Sequence, residues 1–332
     1  MKSTIKKIFQ LGFPWQTQDP FLFCVYHLDH YPKGNGKLGP DDSLAGRNLG
    51  NDFQIKDGYR MYHGTTIPGF PAHPHRGFET ITVVNKGFCD HSDSLGAAGR
   101  FGEGDVQWMT AGSGVQHSEM FPLIHTEKEN TLELFQIWLN LPAKSKFVDP
   151  HFKMLWHEDI PVLKLEHSTV KIIAGSFGSE QALKPAPDSW ASELENDVAI
   201  WNIKIEANGA LTLPKANEGS TRTIYFYDGD SLEVLGEIIT PNHGIDVDAN
   251  TEITLKAIEK EASILVLQGK PIDEPVAKYG PFVMNTEEEL EDAMNEFRTT
   301  HFGGWPWRHP DHVHEKSKGR FAKYPDGTLI DK

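Results

Sequence analysis

Two blocks decide how this chain folds: Gly69-Phe-Pro-Ala-His73-Pro-His75-Arg76-Gly-Phe78-Glu79-Thr80, and Gly104-Asp-Val-Gln-Trp108-Met-Thr-Ala-Gly112-Ser-Gly-Val-Gln116-His117-Ser-Glu119-Met-Phe. Each carries a pair of metal-capable side chains two residues apart, His73 with His75 and His117 with Glu119. On an extended backbone, residues i and i+2 project from the same face. Each block, read as a strand, therefore offers two donor atoms in one direction. Strands lining the inside of a β-barrel would bring three imidazoles and one carboxylate toward a single ion.

The surrounding sequence supports a barrel. Glu79 to Gly87 is β-branched and ends on a turn glycine. Val106 to Met109 is a short strand after the turn Gly102-Glu-Gly-Asp105, and Thr131 to Leu141 alternates cleanly over its whole length. Asp90, Ser92, Asp93, Ser94, Gly96 and Gly99 read as a polar connection. Short strands with glycine turns continue in the second half, at 170–174, 199–205, 209–214, 222–227, 251–255 and 262–269. A weak internal repeat lays Pro214 over Pro71 and Arg222-Thr-Ile over Glu79-Thr-Ile. Ala216 and Glu218 then fall where His73 and His75 stand, so the second barrel lacks the histidine pair.

One helix is expected from Glu287 to Arg298. Thr286 and Glu289 have capping-box spacing, and Leu290, Ala293, Met294 and Phe297 make one apolar stripe. With 332 residues the chain exceeds one ordinary core. The expected division is a metal-binding barrel at 1–150, a barrel without ligands at 151–285, and a helix with tail at 286–332. The tail holds His301, His309, His312 and His314. It reads as solvated and partly ordered rather than as a second metal site, because no cage surrounds these residues.

A net charge of −15 argues against direct nucleic-acid binding. Two cysteines, Cys24 and Cys89, are too few for a disulfide framework. No apolar run is long enough for a membrane helix, and no signal peptide is evident. A cytoplasmic monomer is expected. The glycine-rich stretch 32–69 reads either as a lid or as an edge-covering insertion. His27, His30 and His63 read as hydrogen-bonding or surface histidines rather than ligands. Trp108 and Phe78 read as core, Gln116 as a pocket-lining candidate, and Pro74 should sit at an edge or a strand start.

His73-Pro-His-Arg-Gly-Phe-Glu-Thr80, Gly104-Asp-Val-Gln-Trp-Met-Thr-Ala-Gly112 and His117-Ser-Glu119 resemble the pirin family of the cupin superfamily, in its bacterial type. The likeness extends to Asp19-Pro-Phe-Leu-Phe23 and Gly280-Pro-Phe-Val-Met-Asn-Thr286, with the 32–69 stretch as a departure. It implies an all-β bicupin of two jelly-roll-like barrels, with one metal in the N-terminal barrel on His73, His75, His117 and Glu119. Glu79 competes with Glu119, because His-x-His-x3-Glu is the ligand spacing of many other cupins. Imidazole with carboxylate suits Fe, Ni, Cu, Mn or Zn; the resemblance favours Fe. It further implies quercetin 2,3-dioxygenase activity, with a flavonol substrate opened by dioxygen and Glu119 as the catalytic base. The family's other reading is a redox-sensing regulator that binds a transcription factor or metabolic enzyme.

Overall fold

A computed structural model describes residues 4–332 of the chain. The protein is all-β, with one α-helix among the described residues, Glu287–Thr300. The β-branched runs form strands close to where the sequence placed them: Phe78–Lys86, Val106–Thr110, Asn130–Asn140, Ala199–Ile205, Thr221–Asp228 and Ala262–Gly269. The helix begins at the expected capping box. Glu289 N–H donates to Thr286 Oγ1 at 3.2 Å, and Thr286 N–H donates to Glu289 Oε2 at 3.1 Å.

The chain forms two compact units built from non-consecutive segments. One takes residues 1–25, 137–142 and 158–273; the other takes 26–136, 143–157 and 274–332. These bounds differ from the expected divisions at 150 and 285. The C-terminal helix and tail thus belong to the same unit as both histidine blocks.

In the histidine-bearing unit a six-stranded sheet runs in the order Leu329–Asp331, Phe321–Lys323, Ala98–Gly102, Phe88–Asp93, Val115–Met120, Gly69–His75. A five-stranded sheet includes His151–Leu155, Val106–Thr110 and Phe78–Lys86, and continues into Asn130–Asn140 and Phe21–Tyr31. The core between them includes Val84, Leu132 and Leu134 from one sheet and Cys89, Phe101 and Ala322 from the other. Pro74 lies on the edge strand, where its missing N–H costs no ladder bond.

Two expectations fail in this unit. The polar stretch after Cys89 is not a connection: Phe88–Asp93 and Ala98–Gly102 are buried strands. Its polar side chains break the strand pattern because they are buried on both faces, in the barrel and beneath the C-terminal segment. Arg100 forks onto Asp90, with Nε and Nη2 each at 2.7 Å from a carboxylate oxygen. Nor is the C-terminal tail merely solvated. Arg100 Nη1 donates to the carbonyls of Glu315 and Lys318, and Phe321–Lys323 pairs with Ala98–Arg100. A buried guanidinium left by the tail would lose three backbone partners, so the tail is part of the fold.

The 32–69 segment is also stapled down. Asp29 accepts from Arg60 Nε at 2.9 Å, Arg60 Nη2 at 3.0 Å and Tyr62 Oη at 2.6 Å, all out of water. Tyr62 Oη in turn meets His27 Nδ1 at 2.7 Å. Because Tyr62 spends its one proton on Asp29, His27 Nδ1–H is the donor in that contact.

The other unit has a seven-stranded sheet facing a four-stranded one. Val170, Ile172, Trp201, Ile203, Ile224, Phe226, Leu255, Ile264 and Val266 fill its interior. Among the described residues, no group of three His, Cys, Asp or Glu able to share an ion lies wholly within it. Glu218, the position laid over His75, is exposed in a turn.

Candidate metal centre

The strand Gly69–His75 pairs antiparallel with Val115–Met120, and His73 stands directly opposite His117. A register shift between Phe70 and His73 sets that alignment. His75 shares the face of His73, so three imidazoles converge. Ring centroids are 4.5 Å apart for His73–His117, 4.8 Å for His73–His75 and 4.9 Å for His75–His117. One ring nitrogen from each lies within 4.8 Å of the others.

The outer nitrogens are oriented from behind. His73 Nδ1 meets the Pro71 carbonyl at 2.9 Å, and His75 Nδ1 meets that of Pro281 at 3.4 Å. A carbonyl only accepts, so Nδ1 carries the proton in both rings and Nε2 keeps its lone pair. His117 is fully buried and neither of its ring nitrogens has a hydrogen-bond partner. Burial holds all three below the usual imidazole range, His73 at about 4 and His75 and His117 well below that range, with neighbouring histidines adding to the effect. Three neutral imidazoles with lone pairs aimed at one another, one of them orphaned, fit a shared cation.

Glu119 stands beside this trio, Oε2 at 3.9 Å from His117 Nε2. Thr82 Oγ1 lies 2.8 Å from Glu119 Oε1 and 2.6 Å from Gln136 Oε1, while Gln136 Nε2 donates to Glu119 Oε2 at 3.1 Å. Burial pushes the Glu119 carboxyl up, against the opposing pull of Thr82. Glu79, the competing carboxylate, faces the other way. It shares strand parity with Ile81 and Val83, whereas Thr82 projects from the opposite face. Its Oε1 accepts from Trp108 Nε1 at 3.0 Å and Thr110 Oγ1 at 2.8 Å, so it ties the core together. Trp108 and Phe78 are buried, Phe78 lying against His75 with ring centroids 5.0 Å apart.

Gln116, the pocket-lining candidate, donates from Nε2 to the carbonyls of His301 and Gly304. Arg76 donates from Nε to Ser113 O at 2.6 Å and from Nη1 to Glu296 at 2.7 Å. The C-terminal segment is thereby fastened to both histidine strands. His27 and the tail histidines stay outside the trio; His314 Nε2 bonds the His91 carbonyl at 3.0 Å. Sequence reasoning missed Thr82, Gln136 and His91. His91 is buried between Asp93, at 3.0 Å from Nε2, and Gln107, at 3.0 Å from Nδ1, with its ring 5.5 Å from that of His117. The signal for it was available: His91 and Asp93 repeat the i, i+2 spacing of the other pairs.

Residues 37–139 match the family model Pirin, and residues 200–303 match the Pirin C-terminal cupin domain. A Pseudomonas aeruginosa protein named "Putative quercetin 2,3-dioxygenase" is 38% identical over 240 residues, which is 70% of this chain and 79% of that protein. The chain belongs to the pirin family. A pirin-like protein of Solanum lycopersicum is 32% identical over 283 residues, 78% of this pirin and 86% of the tomato protein. The crystal structure of a quercetin 2,3-dioxygenase from Acinetobacter baumannii matches with a TM-score of 0.72 at 27% identity, covering 91% of this chain and 98% of that one. The two barrels are therefore cupin domains. The Pirin match begins at residue 37, within the 32–69 segment. No helix among the described residues is long and apolar enough to cross a membrane.

Proposed function

We propose that His73, His75, His117 and Glu119 hold one Fe(II) ion, and that this pirin opens flavonol rings as a quercetin 2,3-dioxygenase. The observation that carries the reading is the trio of neutral imidazoles, His75 and His117 buried and His73 partly so, with nitrogens within 4.8 Å of one another. The names of the Pseudomonas relative and the Acinetobacter structure support the activity. An iron ion bound there supplies Lewis acidity and redox chemistry toward dioxygen.

The chain's own residues do the rest. Glu119 Oε2 accepts the proton of the flavonol hydroxyl. Thr82 and Gln136 hold that carboxylate in one orientation. Phe70, 6.4 Å from the His73 ring between centroids, joins Phe53, Tyr62 and Phe121 in an aromatic wall that suits a planar, apolar substrate. The two free, buried cysteines suit the reducing cytoplasm as the place of action.

Anaerobic reconstitution with Fe(II), followed by exposure to air and quercetin, tests the reading. Quercetin loss by the wild type and its collapse in His75→Ala are expected. Equal turnover by both would remove the enzymatic assignment.

A further inference from the structure

A file of rings leads from the histidine trio to the surface. Phe70 lies 6.4 Å from His73, His63 5.7 Å from Phe70, and Phe53 5.0 Å from His63, all between ring centroids. Exposure rises along the file: His73 and Phe70 are half-buried, and Phe53 and His63 are exposed. The outer rings stand in solvent, so a ligand reaching out from the trio has room there. His63 is near enough to bear on a donor of the trio itself. Burial holds the His73 imidazole down, and the nearby His63 adds to that pull.

The backbone fixes where this ring stands. His63 N–H donates to the Gly69 carbonyl at 3.0 Å, at the head of the strand that carries His73. Gly50 N–H donates to the Gly64 carbonyl at 3.3 Å, which ties the next stretch of chain to it. His63 Nδ1 then meets the Gly50 carbonyl at 2.7 Å. A carbonyl only accepts, so Nδ1 carries the proton and Nε2 of the neutral ring is an acceptor. Among the described residues, no donor meets that Nε2. The tautomer is thus set on one edge of the ring, and the lone pair on the other edge is unused.

Two demands narrow what this place would take. Phe53 and Phe70 suit a flat aromatic ring. Nε2 asks for a hydrogen-bond donor. An aromatic ring bearing a hydroxyl meets both at once, whereas a carboxylate or phosphate has no proton to give. The steps from His73 through Phe70 to His63 lie within reach of a three-ring flavonol held at the trio by its 3-hydroxyl. We propose that His63 is a specificity-determining residue, its Nε2 accepting a hydrogen bond from a phenolic hydroxyl on an outer ring of the substrate. The inference rests on the flavonol reading above and adds a preference to it. Flavonols hydroxylated on an outer ring are favoured over those with the 3-hydroxyl alone. His63 takes no part in bond making.

The test is anaerobic calorimetric titration of the full chain, reconstituted with Fe(II), using two probes. One is 3-hydroxyflavone, which carries the 3-hydroxyl alone; the other is quercetin, which adds hydroxyls on both outer rings. Wild type should bind quercetin about three- to tenfold more tightly, the effect of one added hydrogen bond. His63→Phe keeps a ring against Phe53 and Phe70 and removes the acceptor. His63→Asn keeps a donor for the Gly50 carbonyl and removes Nε2. Both variants should lose the quercetin advantage and leave the affinity for 3-hydroxyflavone unchanged. Because His63 is exposed, neither change is expected to unfold the chain. A wild type without the preference, an advantage that survives in either variant, or equal weakening of both probes overturns the role of His63 and leaves the flavonol reading standing. Failure of wild type to bind either probe overturns both.

Discussion

Thr82 has one hydroxyl proton and two acceptors within reach, Glu119 Oε1 and Gln136 Oε1. When Glu119 carries a proton, the three side chains close a ring in which each donates once and accepts once. When Glu119 is charged, Thr82 turns to it alone. The polar triangle therefore follows the state of the carboxylate and fixes its direction in both. Thr82→Val, nearly isosteric at a buried position, should lower metal affinity about 10–100-fold with circular dichroism unchanged; competition with a chelator reads this. His27 gives a second prediction at the same scale. Burial and the nearby Arg60 hold its imidazole at about 3, against an ordinary 6.5. Between those values the unfolded chain binds a proton that the folded one refuses, so stability is full above 6.5 and falls as pH falls toward 3. The slope from this one group approaches about 1.4 kcal/mol per pH unit. His27→Gln keeps a donor for Tyr62 and should flatten the acid limb of urea unfolding, in metal-free protein, by that amount.

Elements explain what the sequence revealed and what it hid. The strands with β-branched runs were legible because one periodicity dominated, and the i, i+2 pairs at 73/75 and 117/119 showed a shared face directly. Phe88–Asp93 and Ala98–Gly102 were hidden because polar residues are buried on both faces, His91 with Asp93 on the inner one and Arg100 with Asp90 beneath the C-terminal segment. Glu119 is favoured over Glu79 in the sequence by the face it shares with His117; that Glu79 bonds Trp108 and Thr110 needs the strand pairing. The C-terminal segment's role was equally invisible, since it rests on Arg76, Gln116 and backbone carbonyls far away in sequence. Gly77 is its pivot. At φ +84 a Cβ there would lie 1.9 Å from the Val283 carbonyl oxygen, which is backbone and cannot step aside. Gly77→Ala should cost well over about 1 kcal/mol in chemical denaturation and weaken metal binding, by pushing Phe282–Met284 off the end of the His75 strand. Gly280, also at positive φ but with nothing near its would-be Cβ, serves as the control for backbone strain alone.

Across the whole molecule, one scaffold was used twice. One barrel has three histidines gathered in it, and the other is filled chiefly by isoleucine, leucine, valine and a tryptophan beside the buried Arg222–Gln268 pair. A ligand that binds only the folded chain stabilises it, by about 2.7 kcal/mol at a hundredfold excess over Kd. Fe(II) should accordingly raise the melting temperature of the metal-stripped protein, and His73→Ala should erase that rise. The most direct check is the metal content of freshly purified protein, measured by mass spectrometry beside His75→Ala and Glu119→Gln. One transition-metal ion per wild-type chain, lost in His75→Ala and depleted in Glu119→Gln while both variants stay folded, is the predicted result. A wild type that takes up no iron even on anaerobic reconstitution, or a His75→Ala variant that retains a full equivalent, would contradict it.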